Sequence, residues 1–165
     1  MAAAAVLAAA VPTPVLAQDD VGIALGTKPA GVVIEDLDGN PVDLSDYLGE
    51  GPVLLEFWAT WCPLCAKLAP TMAAAYERYG QEMRFLAVAV AVNENPRSIR
   101  RHLRDHPVPY PVLWDADGRA TRAFEAPTTS YIVIVGADGT VAYTGVGADQ
   151  DVMGAVAKVL GRPPS

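Results

Sequence analysis

The sequence predicts an α/β sandwich, a mixed central sheet with helices on both faces. Residues 53–59 and 84–92 are apolar on both faces, as buried parallel strands are. Between them lies a helical run, and strand, helix, strand in that order makes a right-handed βαβ unit. Asp38-Gly39 and Asp138-Gly139, each set between apolar runs, mark hairpin turns near the two ends of the chain.

The elements follow in order. A polar linker covers 18–28, and the folded domain is expected over 29–161, with a tail at 162–165. Val32, Ile34 and Leu37 lead into Asp38-Gly39-Asn40, and Val42 and Leu44 complete an amino-terminal hairpin. Ser45 is placed to cap a short helix through Leu48 that stops at Gly49. After the strand at 53–59, a helix over 63–79 carries Leu64, Leu68, Met72 and Tyr76 at spacings of four and closes at Gly80. A basic helix opens at Asn95 or Pro96 and runs to His106, followed by a short strand at 111–114. A short helix at 118–124, strands at 131–135 and 141–144, and a final helix at 149–160 complete the domain.

Composition narrows the function. The 165 residues carry 19 acidic and 12 basic side chains, net −7, and are 52% hydrophobic. That is enough for one domain with a real core, without disulfide or metal staples. Disorder is excluded, and the acidic balance argues against a nucleic-acid binder, which needs clustered Lys and Arg. Two cysteines make no disulfide framework, and two histidines leave little for a metal cage. Residues 1–17 have no charged side chain; an apolar run at 2–11 precedes Pro12, Pro14 and the small-residue pattern Val15-Leu16-Ala17. This reads as an export signal cleaved after Ala17, or kept as an anchor. Its apolar run is shorter than the roughly 20 residues that span a bilayer. The other reading is an Ala/Pro-rich tail. Export would place the protein where disulfides persist, as in a periplasm.

The chemistry gathers at Trp61-Cys62-Pro63-Leu64-Cys65. Two thiols three apart, where a buried strand meets a helix, can come within disulfide distance. The first-turn amides and positive dipole end favour a thiolate on Cys62, while Cys65, one turn in, keeps its proton. Cys62 is then the nucleophile and Cys65 the resolving thiol. Pro63 suits the first helical position, and Trp61 flanks the sulfurs as a client-contacting side chain.

The run Phe57-Trp58-Ala59-Thr60-Trp61-Cys62-Pro63-Leu64-Cys65 resembles the active site of thioredoxin-fold proteins, and its Trp-Ala-Thr-Trp-Cys form is similar to the TlpA/ResA-type exported thiol–disulfide oxidoreductases, relatives of the redoxins. Pro70 matches the helix-kinking proline of that fold. The resemblance covers roughly 22–161 and implies a thioredoxin-like three-layer sandwich with an added strand–helix insert near 93–114. It implies an enzyme without cofactor that reduces protein disulfides, apocytochrome c among its clients, with a membrane electron donor. Glu56 stands where thioredoxins carry a buried acid. Burial would raise its pKa and let it accept the Cys65 proton, unless it faces solvent or pairs with an arginine. The family also faces its cysteines with a cis-proline. Pro127 in Ala126-Pro127-Thr128-Thr129 is favoured for that part, whereas counting back without gaps from Asp138-Gly139 puts Ser130 in the slot. Leu68 stands where some cytochrome-maturation members carry an acid.

Other readings stay open. Proline after the first cysteine also occurs in DsbA-type oxidants. A thioredoxin-like chaperone could hold Cu(I) on the two thiolates, although such chaperones usually space them further apart. His102 and His106, four apart among Arg100, Arg101 and Arg104, are expected on a solvated basic face and not at a metal. Tyr110 and Trp114 are expected in the core or at its rim.

Overall fold

The computed structural model describes residues 21–163, so the leader expected at 1–17 lies outside the described residues. Its centre is β3 (Val53–Trp58), buried at all six positions. β3 runs parallel to β4 (Arg84–Val90), in register from Val53 beside Arg84 to Trp58 beside Ala89. The connection is α1 (Pro63–Tyr79), 17 residues closed by Gly80. α2 (Pro96–Asp105) then leads to β5 (Val112–Asp115), which lies parallel to β4. Both crossovers advance in the same direction, so right-handed connection puts α1 and α2 on one face of the sheet.

The remaining strands are antiparallel. β6 (Tyr131–Val135) pairs with the other edge of β3, with Tyr131 beside Phe57, and β7 (Val141–Val146) pairs with β6. The amino-terminal hairpin, β1 (Val33–Asp36) and β2 (Pro41–Asp43), closes the far edge through β1 against β5. The sheet order is β2-β1-β5-β4-β3-β6-β7. α4 (Val152–Val159) packs beside α1, while α3 (Arg119–Ala123) packs on β1 and β5. Phe57 meets Phe124 and Tyr131 on the α3 side. By the alternation of a strand, its neighbours Glu56 and Trp58 therefore face α1. The result is the expected three-layer α/β sandwich.

Four details differ from the sequence expectation. The buried stripe of α1 is Cys65, Leu68, Met72, Ala75 and Tyr79, so Leu64 is exposed (42%). A strict four-residue repeat drifts around a 3.6-residue helix, and the stripe keeps to the core by mixing threes and fours. Residues 23–27 are not a free linker. Ile23 is buried and its amide donates to Tyr131 Oη, while Gly26 and Thr27 bond to Val141. Backbone pairing of this kind leaves no trace in a polar, Gly-containing composition. The short helix is a 3₁₀ turn over Leu44–Tyr47, capped by Asp43, whose carboxylate accepts from Ser45 N–H. β4 stops at Val90, and the chain leaves the sheet before Val92.

Candidate active site

The junction of β3 and α1 is built by a tight turn. Cys62 N–H donates to the carbonyl of Ala59 (3.1 Å), so Thr60 and Trp61 form its corner. Cys62 is the N-cap of α1, its Sγ accepting the Cys65 amide at 3.0 Å, and Pro63 follows at the first helical position, where no amide donor is missed. The two sulfurs are joined as a disulfide with their Cα atoms 5.3 Å apart. One first-turn N–H that would stabilise a thiolate, that of Cys65, is aimed at the Cys62 sulfur itself.

The expected contrast of an outward Cys62 and a sheltered Cys65 is corrected by the structure: their exposures are 4% and 5%. The Cys62 sulfur accepts the capping bond, and the exposed side chains at the tip are Trp61 (48%), Pro63 and Leu64. Trp61 is held on the surface by a bond from its Nε1 to the Val92 carbonyl (2.7 Å). Both sulfur-bearing residues line a cleft of about 330 Å³ between α1 and α2, and Glu56 lies in the same cleft.

Glu56 neither faces solvent nor pairs with an arginine. It is 6% exposed, and no ion pair among the described residues includes it. Burial in the apolar strand pushes its pKa up from 4.5 to about 7. Tyr110, at the same cleft, has its phenol pushed upward by burial and, secondarily, by Glu56, so the hydroxyl keeps its proton.

The opposite wall alters the expectation for one of the histidines. His102 and His106 both line the cleft, where His102 is half-buried while His106 stays exposed, as expected of it. Their rings lie 4.6 Å apart, and His102 packs on Trp58 at 5.6 Å between centroids. Burial is the main cause holding the His102 imidazole toward its neutral form, helped by His106 and opposed by Glu94 and Asp105. The arginines made α2 look uniformly wet, but a helix in a crossover must turn one side to the sheet. Here Ile99 and Leu103 anchor that side and His102 rides with it. Tyr110 and Trp114 are buried as expected.

The cis-proline assignment to Pro127 is also corrected. No described peptide bond is cis, and Pro127 is exposed and absent from the cleft. β6 starts at Tyr131 in register with Phe57, so the strand is not extended back and Pro127 stays in the loop. Ser130 holds the position before the strand. It is fully buried at φ +59°, and its carbonyl accepts from Gly147 N–H (3.0 Å) and Gln150 Nε2 (3.1 Å). Its hydroxyl and Trp58 Nε1 are buried without a hydrogen-bond partner.

One acid was missed by sequence reasoning. Glu94, 8% exposed, accepts from Thr60 N–H at 2.5 Å through Oε1 and from Ser98 Oγ at 2.6 Å through Oε2. Nothing in a polar Asn-Glu-Asn-Pro loop marks that carboxylate as buried.

Comparison with known proteins agrees with this geometry. A family model described as Redoxin matches residues 24–159. The chain is 32% identical to the thiol-disulfide oxidoreductase ResA of Bacillus subtilis over 122 residues, 72% of this chain and 65% of that protein. It thus spans just under two thirds of that relative's length. Among solved structures, a secreted Mycobacterium tuberculosis disulfide oxidoreductase homologous to E. coli DsbE superposes with a TM-score of 0.67 at 25% identity, over 77% of this chain and 95% of the other. An uncharacterised conserved protein from Geobacillus kaustophilus shares the fold, with a TM-score of 0.73 at 18% identity over 94% and 91% of the two chains.

Proposed function

The chain belongs to the redoxin family, and from that membership we propose that it is an exported thiol–disulfide oxidoreductase that reduces protein disulfides through Cys62 and Cys65. The observation that carries the reading is the disulfide itself, closed at the first turn of α1 and opening on a cleft that holds an unpaired buried acid.

The cycle starts from the dithiol. The Cys62 thiolate attacks one sulfur of a client disulfide, breaking that bond and releasing one client thiolate, which takes a proton. In the resulting mixed disulfide Cys65 loses its proton to the Glu56 carboxylate. Its sulfur then attacks Cys62, expelling the second client thiolate, which is protonated in turn. Two electrons have passed to the client and the Cys62–Cys65 disulfide seen here remains. A dithiol donor, itself oxidised to a disulfide, reduces this bond back to the two thiols, and the family resemblance implies such a donor at a membrane. With a pKa of about 7, Glu56 is partly ionised at neutral pH, the condition in which it can take a proton from Cys65 and return it.

Export is supported by the apolar leader at 1–17, and the Mycobacterium tuberculosis protein it resembles is secreted. Apocytochrome c is one client the resemblance implies; Leu68, apolar and fully buried where some cytochrome-maturation members carry an acid, favours a broader set of protein disulfides.

Reduction of insulin by the reduced protein tests the reading. The parent should turn over, Cys62→Ser should abolish turnover, and Cys65→Ser should accumulate a mixed disulfide. An inert parent that instead binds one Cu(I) tightly would reverse the assignment in favour of a metallochaperone. A potential near −270 mV against glutathione would agree with reductase duty, and one near −120 mV would make it an oxidant.

A further inference from the structure

Two residues, Val92 and Glu94, grip the turn that carries the nucleophile. The Val92 carbonyl accepts from Trp61 Nε1, and the Glu94 carboxyl accepts from Thr60 N–H. Between them Asn93 sits at φ +53°, a left-handed conformation that aims both groups at the same turn. The other Glu94 oxygen takes the Ser98 hydroxyl, and Ser98 in turn closes the capping box of α2 with Asn95. One buried carboxyl therefore ties the Ala59–Cys62 turn to the start of α2. No lysine or arginine pairs with it among the described residues. An amide in this place would have one acceptor oxygen, for Thr60 N–H, and would turn its NH2 toward the Ser98 hydroxyl, so the tie as built uses both oxygens of a carboxylate and brings its charge to the turn.

We propose that Glu94 is a positioning residue for the redox pair: it fixes the turn bearing Cys62, and its charge disfavours the Cys62 thiolate and so keeps the pair reducing. This rests on reading Cys62/Cys65 as a dithiol reductant. The other titratable groups around the turn are Glu56 from β3, His102 and His106 from α2, and Tyr110 ahead of β5; Asp105 acts on His102 from the same helix. None of them is a lysine or arginine that would offset the Glu94 charge from the cleft side.

The test measures Cys62 alkylation by iodoacetamide against pH, together with the glutathione potential, in the reduced full chain. Glu94→Gln keeps an acceptor for Thr60 and removes the charge. It should lower the Cys62 pKa by up to about one unit, raise alkylation near pH 6 several-fold and move the potential in the oxidising direction. Ser98→Ala loosens the α2 side of the tie but keeps the charge, and should lower stability while leaving the alkylation profile unchanged. A Glu94→Gln protein with the parent's profile and potential overturns the proposal and leaves Glu94 a structural tie. A parent that fails to reduce insulin defeats the reductase reading by a separate measurement, whatever the alkylation profiles show.

Discussion

At the scale of single residues, Glu56 has the largest consequence for its size. The unfolded chain would ionise it near 4.5, whereas burial holds the proton on until about pH 7 in the folded protein. Between those values folding takes up a proton, so the stability owed to this group falls as pH rises from 4.5 through 7 and stays lost above. Glu56→Gln, neutral at every pH, should therefore be more stable than the parent at pH 8, by about 3 kcal/mol. That advantage should vanish at pH 4, where the parent is protonated in both states. Urea unfolding of the oxidised proteins at the two pH values measures it, and a gap independent of pH would mean that burial does not control this carboxyl. Glu56 was legible because an acid inside an apolar strand is conspicuous by its setting. Glu94 was not, because what buries it is the left-handed turn at Asn93 and a tertiary contact with Thr60, neither of which leaves a local pattern.

At the scale of elements, the long apolar runs carried the fold and the short pieces did not. β3, α1 and β4 follow from hydrophobic periodicity, a capping cysteine, Pro63 and Gly80. α3 is different: five residues, with Gly118 at its N-cap and so no side chain to cap it. A helix that short does not hold itself. Its cap comes from Asp115 at the end of β5, fully buried, which accepts from Ala120 N–H (3.0 Å), Thr121 N–H (2.8 Å) and Thr121 Oγ (2.7 Å). Sequence reasoning ended that strand one residue early and so missed the cap. Asp115→Ala strands two amides in a poorly hydrated place and should cost about 2–3 kcal/mol in urea unfolding. The effect should stay local to the α3 face, so Cys62 alkylation in the reduced variant should match the parent. A change in thiol reactivity would mean that the two faces of the sheet are coupled. The loop before β6 teaches the same lesson. A proline was easy to see at 127, but the pairing of Tyr131 with Phe57 decides where the strand begins, and the residue just before it is Ser130.

At the scale of the whole molecule, the dithiol motif was plain in nine residues, while the cleft around it needed three elements to meet. His102 and His106 read as solvated because they sit among arginines; the crossover brings both to the cleft and half-buries His102, while His106 remains exposed. The assembled surroundings bear on the direction of electron flow. No lysine or arginine lines the cleft, one carboxyl group shares it with the two cysteines and a second binds the turn before Cys62, and burial biases His102 to its neutral form. On the other side stand the positive end of α1 and its Cys65 amide, which favour a thiolate. A strong oxidant of this chemistry is strong because its reduced form is stabilised. Here the charges oppose the thiolate, so the folded protein should favour the disulfide more than its own unfolded chain does. By the thermodynamic cycle linking folding to reduction, the oxidised protein should then unfold at a higher temperature than the reduced one. Calorimetry of the oxidised form, and of the form held reduced by excess dithiothreitol at pH 7, compares the two directly. The reverse order, reduced above oxidised, would mean that the amides of α1 outweigh both carboxyl groups and that electrons run from clients into this protein.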